Sequence, residues 1–168
     1  MSLKKYMTDH RKRADAGRFA QKVGKSFEDY FHKACYYLRV TCIRIPDGCK
    51  KVGSGARPKL YPEKTPFDFL ITKDGATACI DLKTTEEKNL AYSSIKPHQR
   101  EALCEIGPSI PAGYLVWFRP TDKVIFFDHE KLYSCMPRES LKPEDGLMIG
   151  ALNEMDISLI LKSNGRDS

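Results

Sequence analysis

Two aspartates and a lysine stand close together in the stretch T-P-F-D-F-L-I-T-K-D-G-A-T-A-C-I-D-L-K, residues 65–83: Asp68, Asp81 and Lys83. Carboxylate oxygens are hard ligands. A pair of them binds Mg²⁺ while leaving positions for water and a substrate phosphate. An ammonium group beside them holds a nucleophilic water or the charged phosphate itself. These side chains are a poor choice for a strand whose only role is burial, because unpaired buried charge is costly. A plainer reading also accommodates them: Asp68 caps a strand, and Asp81 and Lys83 pair on a solvated face. The spacing D-x(12)-D-x-K is short enough to arise by chance.

The elements needed to position these groups are legible around them. Phe67–Thr72 and Ala76–Leu82 read as two apolar strands about the polar turn Lys73-Asp74-Gly75, where Asp-Gly favours a tight hairpin. Antiparallel pairing then brings Asp68 and Asp81 to the same end of the hairpin. Alternation along the strand puts Asp81 and Lys83 on one face.

The chain has 168 residues, enough for one domain with a sizeable core. Its 28 lysines and arginines exceed its 22 acidic residues, giving a net charge of +6 and a pI near 9.0. That balance favours polyanionic partners, nucleic acid or anionic membrane. No apolar run approaches about 18 residues, so we expect no membrane-spanning helix and a soluble, cytoplasmic protein. Six cysteines never fall into C-x-x-C or C-x-x-x-x-C spacing, which argues against zinc and for reduced thiols.

The chain opens with a basic arm, residues 1–22. It is either a solubilising terminus or a segment that tracks phosphates. Phe27, Tyr30, Phe31, Ala34, Cys35 and Leu38 recur at three- and four-residue steps, predicting an amphipathic helix from about Arg18 to Arg39. Glu28 lies at the border of its apolar stripe, where it can point toward the hairpin carboxylates or into solvent. Val40–Ile45 predicts a strand. Residues 46–66, with four prolines and three glycines, form a long basic crossover, either a protrusion gripping nucleic acid or a disordered connection. Thr84–Lys96 reads as irregular, Pro97–Ile106 as a helix with Gln99 in its first turn, and Gly113–Phe118 and Lys123–Asp128 as a strand pair. Trp117, Phe126 and Phe127 belong to the core. Glu130–Met136 reads as a short helix, Ile157–Leu161 as a last strand or a docking segment, and residues 163–168 as a frayed tail. The whole predicts an α/β (α+β) fold, a mixed sheet flanked by helices.

This order, with P-F-D followed by I-D-L-K, resembles the PD-(D/E)xK nuclease superfamily and its restriction-endonuclease-like core, and within it the RecU-type Holliday junction resolvases. Phe27-Glu28 on the leading helix, the thirteen-residue step from Asp68 to Asp81 and His98-Gln99 opening the next helix complete the likeness. The resemblance implies a single nuclease domain over residues 23–162, hydrolysing phosphodiesters of branched or duplex DNA as a homodimer in a bacterial or phage-infected cell. It implies that Asp68, Asp81 and the Leu82 carbonyl hold Mg²⁺, with Mn²⁺ as a substitute. Lys83 is then the catalytic lysine, Glu28 the acidic residue near the metal, and Gln99 a group that orients substrate. Two positions depart from those resolvases: Asp81 stands where they carry glutamate, and Pro66 where they carry threonine. A restriction- or repair-type endonuclease, or a DNA-binding protein that keeps the fold without catalysis, shares the same pattern.

Overall fold

The computed structural model describes residues 3–46, 48–52, 59–63, 65–135 and 139–163. For residues 3–14, 16, 49–52 and 59–63 it describes the backbone alone. The first element, α1 (Leu3–Tyr37), is a single helix of 35 residues. Its predicted start near Arg18 is therefore too late. The basic segment 1–22 is, from Leu3 on, the leading part of this helix. Phe27, Phe31 and Cys35, one helical turn apart, are buried and form the seam against the sheet. The helix stops where Arg39 takes a left-handed φ of 55°. The Val40 N–H then closes back on the Cys35 carbonyl at 2.8 Å, satisfying one of the orphan acceptors of the last turn.

β1 (Thr41–Arg44) follows, then β2 (Gly48–Val52) and β3 (Lys59–Glu63), which pair antiparallel from Gly48↔Glu63 to Val52↔Lys59. The crossover 46–66 thus contains a two-stranded ribbon rather than the looser element its prolines and glycines suggest. Each strand of such a ribbon has a free edge, which tolerates the missing donor of Pro62. Residues 53–58 lie outside the described residues.

The hairpin forms as its sequence predicts. β4 (Phe69–Lys73) and β5 (Ala76–Thr85) pair through Lys73↔Ala76. The two loop residues Asp74 (φ 51°) and Gly75 (φ 83°) both have positive φ, the type I′ geometry that suits a twisted hairpin. β5 runs into the stretch expected to be irregular, and β6 (Leu90–Ala91) follows there. Next come α2 (Pro97–Ile106), β7 (Ala112–Phe118), β8 (Lys123–Asp128) and α3 (His129–Ser134). β9 (Ser140–Leu141) pairs with β6. β10 (Leu147–Ala151) is an edge strand that periodicity does not reveal, and α4 (Ser158–Lys162) is a short helix where a last strand was one expectation. The docking alternative is the one observed, since Ile157, Ile160 and Leu161 are buried.

The main sheet has the order β1-β4-β5-β7-β8-β10. Only β5 and β7 are parallel, and α2 makes the crossover between them. Alternate residues of the central strands enter two cores. Ile80, Leu115 and Phe126 pack with Phe27 and Phe31 of α1 and Ile160 of α4. Cys79, Tyr114, Val116, Ile125 and Phe127 pack with Leu103 of α2 and Leu132 of α3. The sheet is the middle of three layers. No described helix is long and apolar enough to cross a membrane. The thiols of Cys35, Cys42, Cys79, Cys104 and Cys135 are free.

Phe31 meets Phe69 with ring centroids 5.2 Å apart and is fully buried. Phe31→Ala should therefore cost about 3–5 kcal/mol, lowering the melting temperature by roughly 10 °C in a domain of this size. Thermal unfolding followed by circular dichroism checks this. An unchanged midpoint would mean that α1 does not seal this face.

Candidate active site

The hairpin register decides where the carboxylates fall. Phe69↔Ile80 is the last pair of the ladder, which leaves Asp68 and Asp81 as the next residues outward on the two chains. Asp81 lies on the α2 face, since Ile80 points the other way, and Asp68 is near enough to act on its carboxyl. The Asp68 backbone is fixed on both sides. Its N–H donates to the Ile80 carbonyl at 3.1 Å, and its carbonyl accepts from the Ile45 N–H at 2.8 Å. Its Oδ2 accepts from the Leu82 N–H at 3.0 Å. A strand residue points its N–H and its carbonyl to the same edge. The Leu82 carbonyl therefore faces the Asp68 side, where β4 has already ended.

Asp81 is fully buried, 0% exposed, and Gln99 is 4% exposed. Three side chains close a ring. Lys83 Nζ donates to Asp81 Oδ2 and to Gln99 Oε1 at 3.1 Å; Gln99 Nε2 donates to Asp81 Oδ1. Pro97 and the extended Lys96 before it start α2 where its third residue, Gln99, reaches this ring. Tyr114, directly across the parallel pairing from Asp81, completes the floor. Its ring centroid lies 5.1 Å from Lys83 Nζ.

Burial is the largest influence on the Asp81 carboxyl and pushes its pKa from the ordinary 3.8 up to about 7. The Lys83 charge pulls against that rise, the neighbouring Asp68 adds to it, and the Lys83 hydrogen bond and the Lys96 charge oppose it. A carboxyl squeezed between desolvation and a second carboxylate favours a cation in its place. Among the described residues, no group of three or more histidine, cysteine, aspartate or glutamate side chains forms a metal cage. Two carboxylates and a carbonyl nevertheless suit Mg²⁺, which keeps several of its waters.

Asp68, Asp81, Lys83 and Gln99 are thus brought together. Glu28 is not part of this ring. It sits on α1 and makes an ion pair with Arg44 at 3.3 Å, on the strand beside β4. Tyr114 and Lys96 escaped the sequence reading. Lys96, directly before Pro97, was the more accessible of the two, whereas Tyr114 is located only by the β5–β7 register. A cleft of about 520 Å³ between α1 and residues 152–156 contains none of these groups.

A group whose pKa is higher in the folded state than in the unfolded one lends stability below its unfolded value and withdraws it as pH rises through the folded value. In metal-free protein, the melting temperature of the wild type relative to Asp81→Asn should accordingly fall as pH is raised from 4 to 7. A difference that stays flat across this range would show that Asp81 ionises in its ordinary range.

No protein-family model matches the chain, and no curated protein does. Among solved structures, the chain is similar to Hjc, a Holliday junction resolvase from the archaeal hyperthermophile Archaeoglobus fulgidus. The TM-score is 0.52 at 19% identity, over 75% of this chain and 96% of that one. Likeness at this identity is a likeness of fold. The six-stranded mixed sheet flanked by helices is the fold that the two chains share.

Proposed function

We propose that the chain is a divalent-metal-dependent DNA endonuclease that resolves four-way junctions as a homodimer, in recombination and repair. The observation that carries this reading is Asp81, a fully buried carboxylate held between Lys83 and Gln99 with Asp68 alongside. The fold shared with a resolvase supports it. Asp68, Asp81 and the Leu82 carbonyl would hold Mg²⁺ or Mn²⁺. When bound, the cation supplies Lewis-acid polarisation of a phosphoryl oxygen and a water of lowered pKa. Lys83 orients that water through its ammonium protons and offsets the negative charge that develops on the phosphate. Gln99 fixes both Asp81 and Lys83, so neither has to reorganise during the reaction. Affinity comes from the basic residues of α1 and of the β2–β3 ribbon, which contact phosphates without reading bases. Glu28 takes part indirectly, by holding Arg44 next to the backbone that carries Asp68. The setting is the cytoplasm of a bacterial or phage-infected cell.

The experiment compares a four-way junction with linear duplex of the same sequence at matched salt, with Mg²⁺. Preferential cutting of the junction supports the reading. Equal cutting replaces it with a general endonuclease of the same fold. Asp81→Asn and Asp68→Asn should each lower cleavage by at least about 100-fold while junction binding stays measurable. Cleavage near the wild-type rate in either variant would remove that residue from the site.

Two symmetric incisions need two such sites, which is the case for a homodimer. Wild type should convert a supercoiled cruciform plasmid mainly to linear product. Dimers mixed with Lys83→Ala subunits should leave open circles. Open circles from wild type that sediments as a monomer would exclude paired resolution.

A further inference from the structure

Tyr114 borders the ring of polar groups, and the proposed mechanism leaves its chemistry unused. It is fully buried, and it stands across the β5–β7 pairing from Asp81. Its hydroxyl is the single buried side-chain polar atom among the described residues with no hydrogen-bond partner. A buried hydroxyl in that state is costly, so its presence is no reason for an aromatic residue here. The ring is a better one. Lys83 Nζ lies 5.1 Å from the ring centroid, within the range where the negative face of an aromatic system attracts a cation.

The hydrogen bonds of Lys83 leave a gap that the ring fills. Asp81 Oδ2 and Gln99 Oε1 accept from the ammonium. In the proposed reaction Asp81 also serves as a metal ligand, so its hold on Lys83 is shared with the cation. The π face of Tyr114 does not compete for the metal. It holds the ammonium by an attraction that persists when Asp81 is otherwise engaged, and its rigid strand leaves it no alternative position. Tyr114 has no exposed surface and shares its core with Leu103 of α2 and Leu132 of α3. Water is thereby kept off the aromatic face, which strengthens the contact.

We infer that Tyr114 is a positioning residue whose ring, and not its hydroxyl, sets Lys83 over the site. The inference rests on the nuclease reading given above, with Lys83 as the residue that orients the water.

The test uses the full-length protein with phenylalanine, 4-fluoro-, 3,5-difluoro- and 3,4,5-trifluorophenylalanine placed at position 114. Successive fluorines weaken the π face while nearly keeping the shape. Tyr114→Phe, which loses only the hydroxyl, sets the kcat from which the fluorinated series is read. Along the fluorinated series kcat should fall stepwise, by about 2- to 30-fold in total, with KM for the junction and the melting temperature nearly constant. A second readout needs no activity. In metal-free protein carrying ¹³C-lysine, the Lys83 ε-methylene signal, assigned by its loss in Lys83→Arg, should lie upfield through the ring current. It should return toward the other lysines in Tyr114→Leu.

A flat kcat along the series, or a Lys83 signal that Tyr114→Leu leaves in place, would overturn the inference. A Tyr114→Phe variant with kcat reduced as far as the trifluorinated one would overturn it in favour of the hydroxyl. Lys83→Ala and Asp81→Asn, run on the same substrate, separate the two levels. If they cut at the wild-type rate, the nuclease reading itself fails; if they are inactive while the series is flat, only the role of Tyr114 does.

Discussion

Burying a carboxylate completely is the constraint around which this molecule is arranged. Asp81 has no exposed surface, and an unpaired ion at that depth costs several kcal/mol, about what a small domain has in reserve. Its partners come from two sources. Lys83 follows two residues later on the same strand face, a position the pleat alone guarantees. Gln99 comes from α2, and α2 is there because β5 and β7 are parallel and need a crossover. The connection that makes the sheet possible thus also delivers the amide that stabilises its most costly side chain. A sheet antiparallel at this point could be closed by a short hairpin loop, and no helix start would then be required beside Asp81.

What could be read in the sequence follows the range of the interactions concerned. The Asp68–Asp81 juxtaposition was legible because one local signal, Asp74-Gly75, sets the loop length, and loop length sets every pair up the ladder. The stripe of Phe27, Phe31 and Cys35 was legible for the same reason, since a helix is its own ruler. Gln99 was placed in the first turn of its helix, but its burial depends on where α2 lands on the sheet, and no local pattern encodes that. Tyr114 faces Asp81 only through a parallel register fixed by the entire crossover. Glu28 shows the converse. Its position at the stripe border was read correctly, yet its carboxylate pairs with Arg44 on the adjoining strand.

The missed elements have separate causes. The leading turns of α1 carry no apolar stripe to find, so apolar periodicity starts the helix about four turns late. In the β2–β3 ribbon, Pro62 and the neighbouring glycines weigh against a strand, but propensity is a weak prior where only one edge has to be paired. Ser158–Lys162 contains the run Leu-Ile-Leu, too short for periodicity to separate strand from helix. β10 is equally short and is interrupted by a bulge between Met148 and Gly150, where the Gly150 φ of 137° breaks the alternation that would mark a strand.

The two long edges of β5 do different work, and the site lies where they diverge. Along β7 the pairing continues to Thr85↔Phe118, so the strand stays rigid through Asp81, Leu82 and Lys83. Along β4 the ladder ends at Phe69↔Ile80. Beyond that point the β4-side edge of β5 turns to a side chain, with Asp68 Oδ2 taking the Leu82 N–H that a longer β4 would have taken through its backbone. An unfinished ladder normally leaves unpaired main-chain groups that invite another strand. Here the gap is closed by the Asp68 carboxylate, and the Leu82 carbonyl beside it faces the same opening. Extending β4 by two residues would satisfy the backbone better and cover the edge of β5 beside Asp81 and Leu82. On the nuclease reading proposed above, the short strand keeps that edge open to a phosphate, and the rigidity given up on one edge is kept on the other.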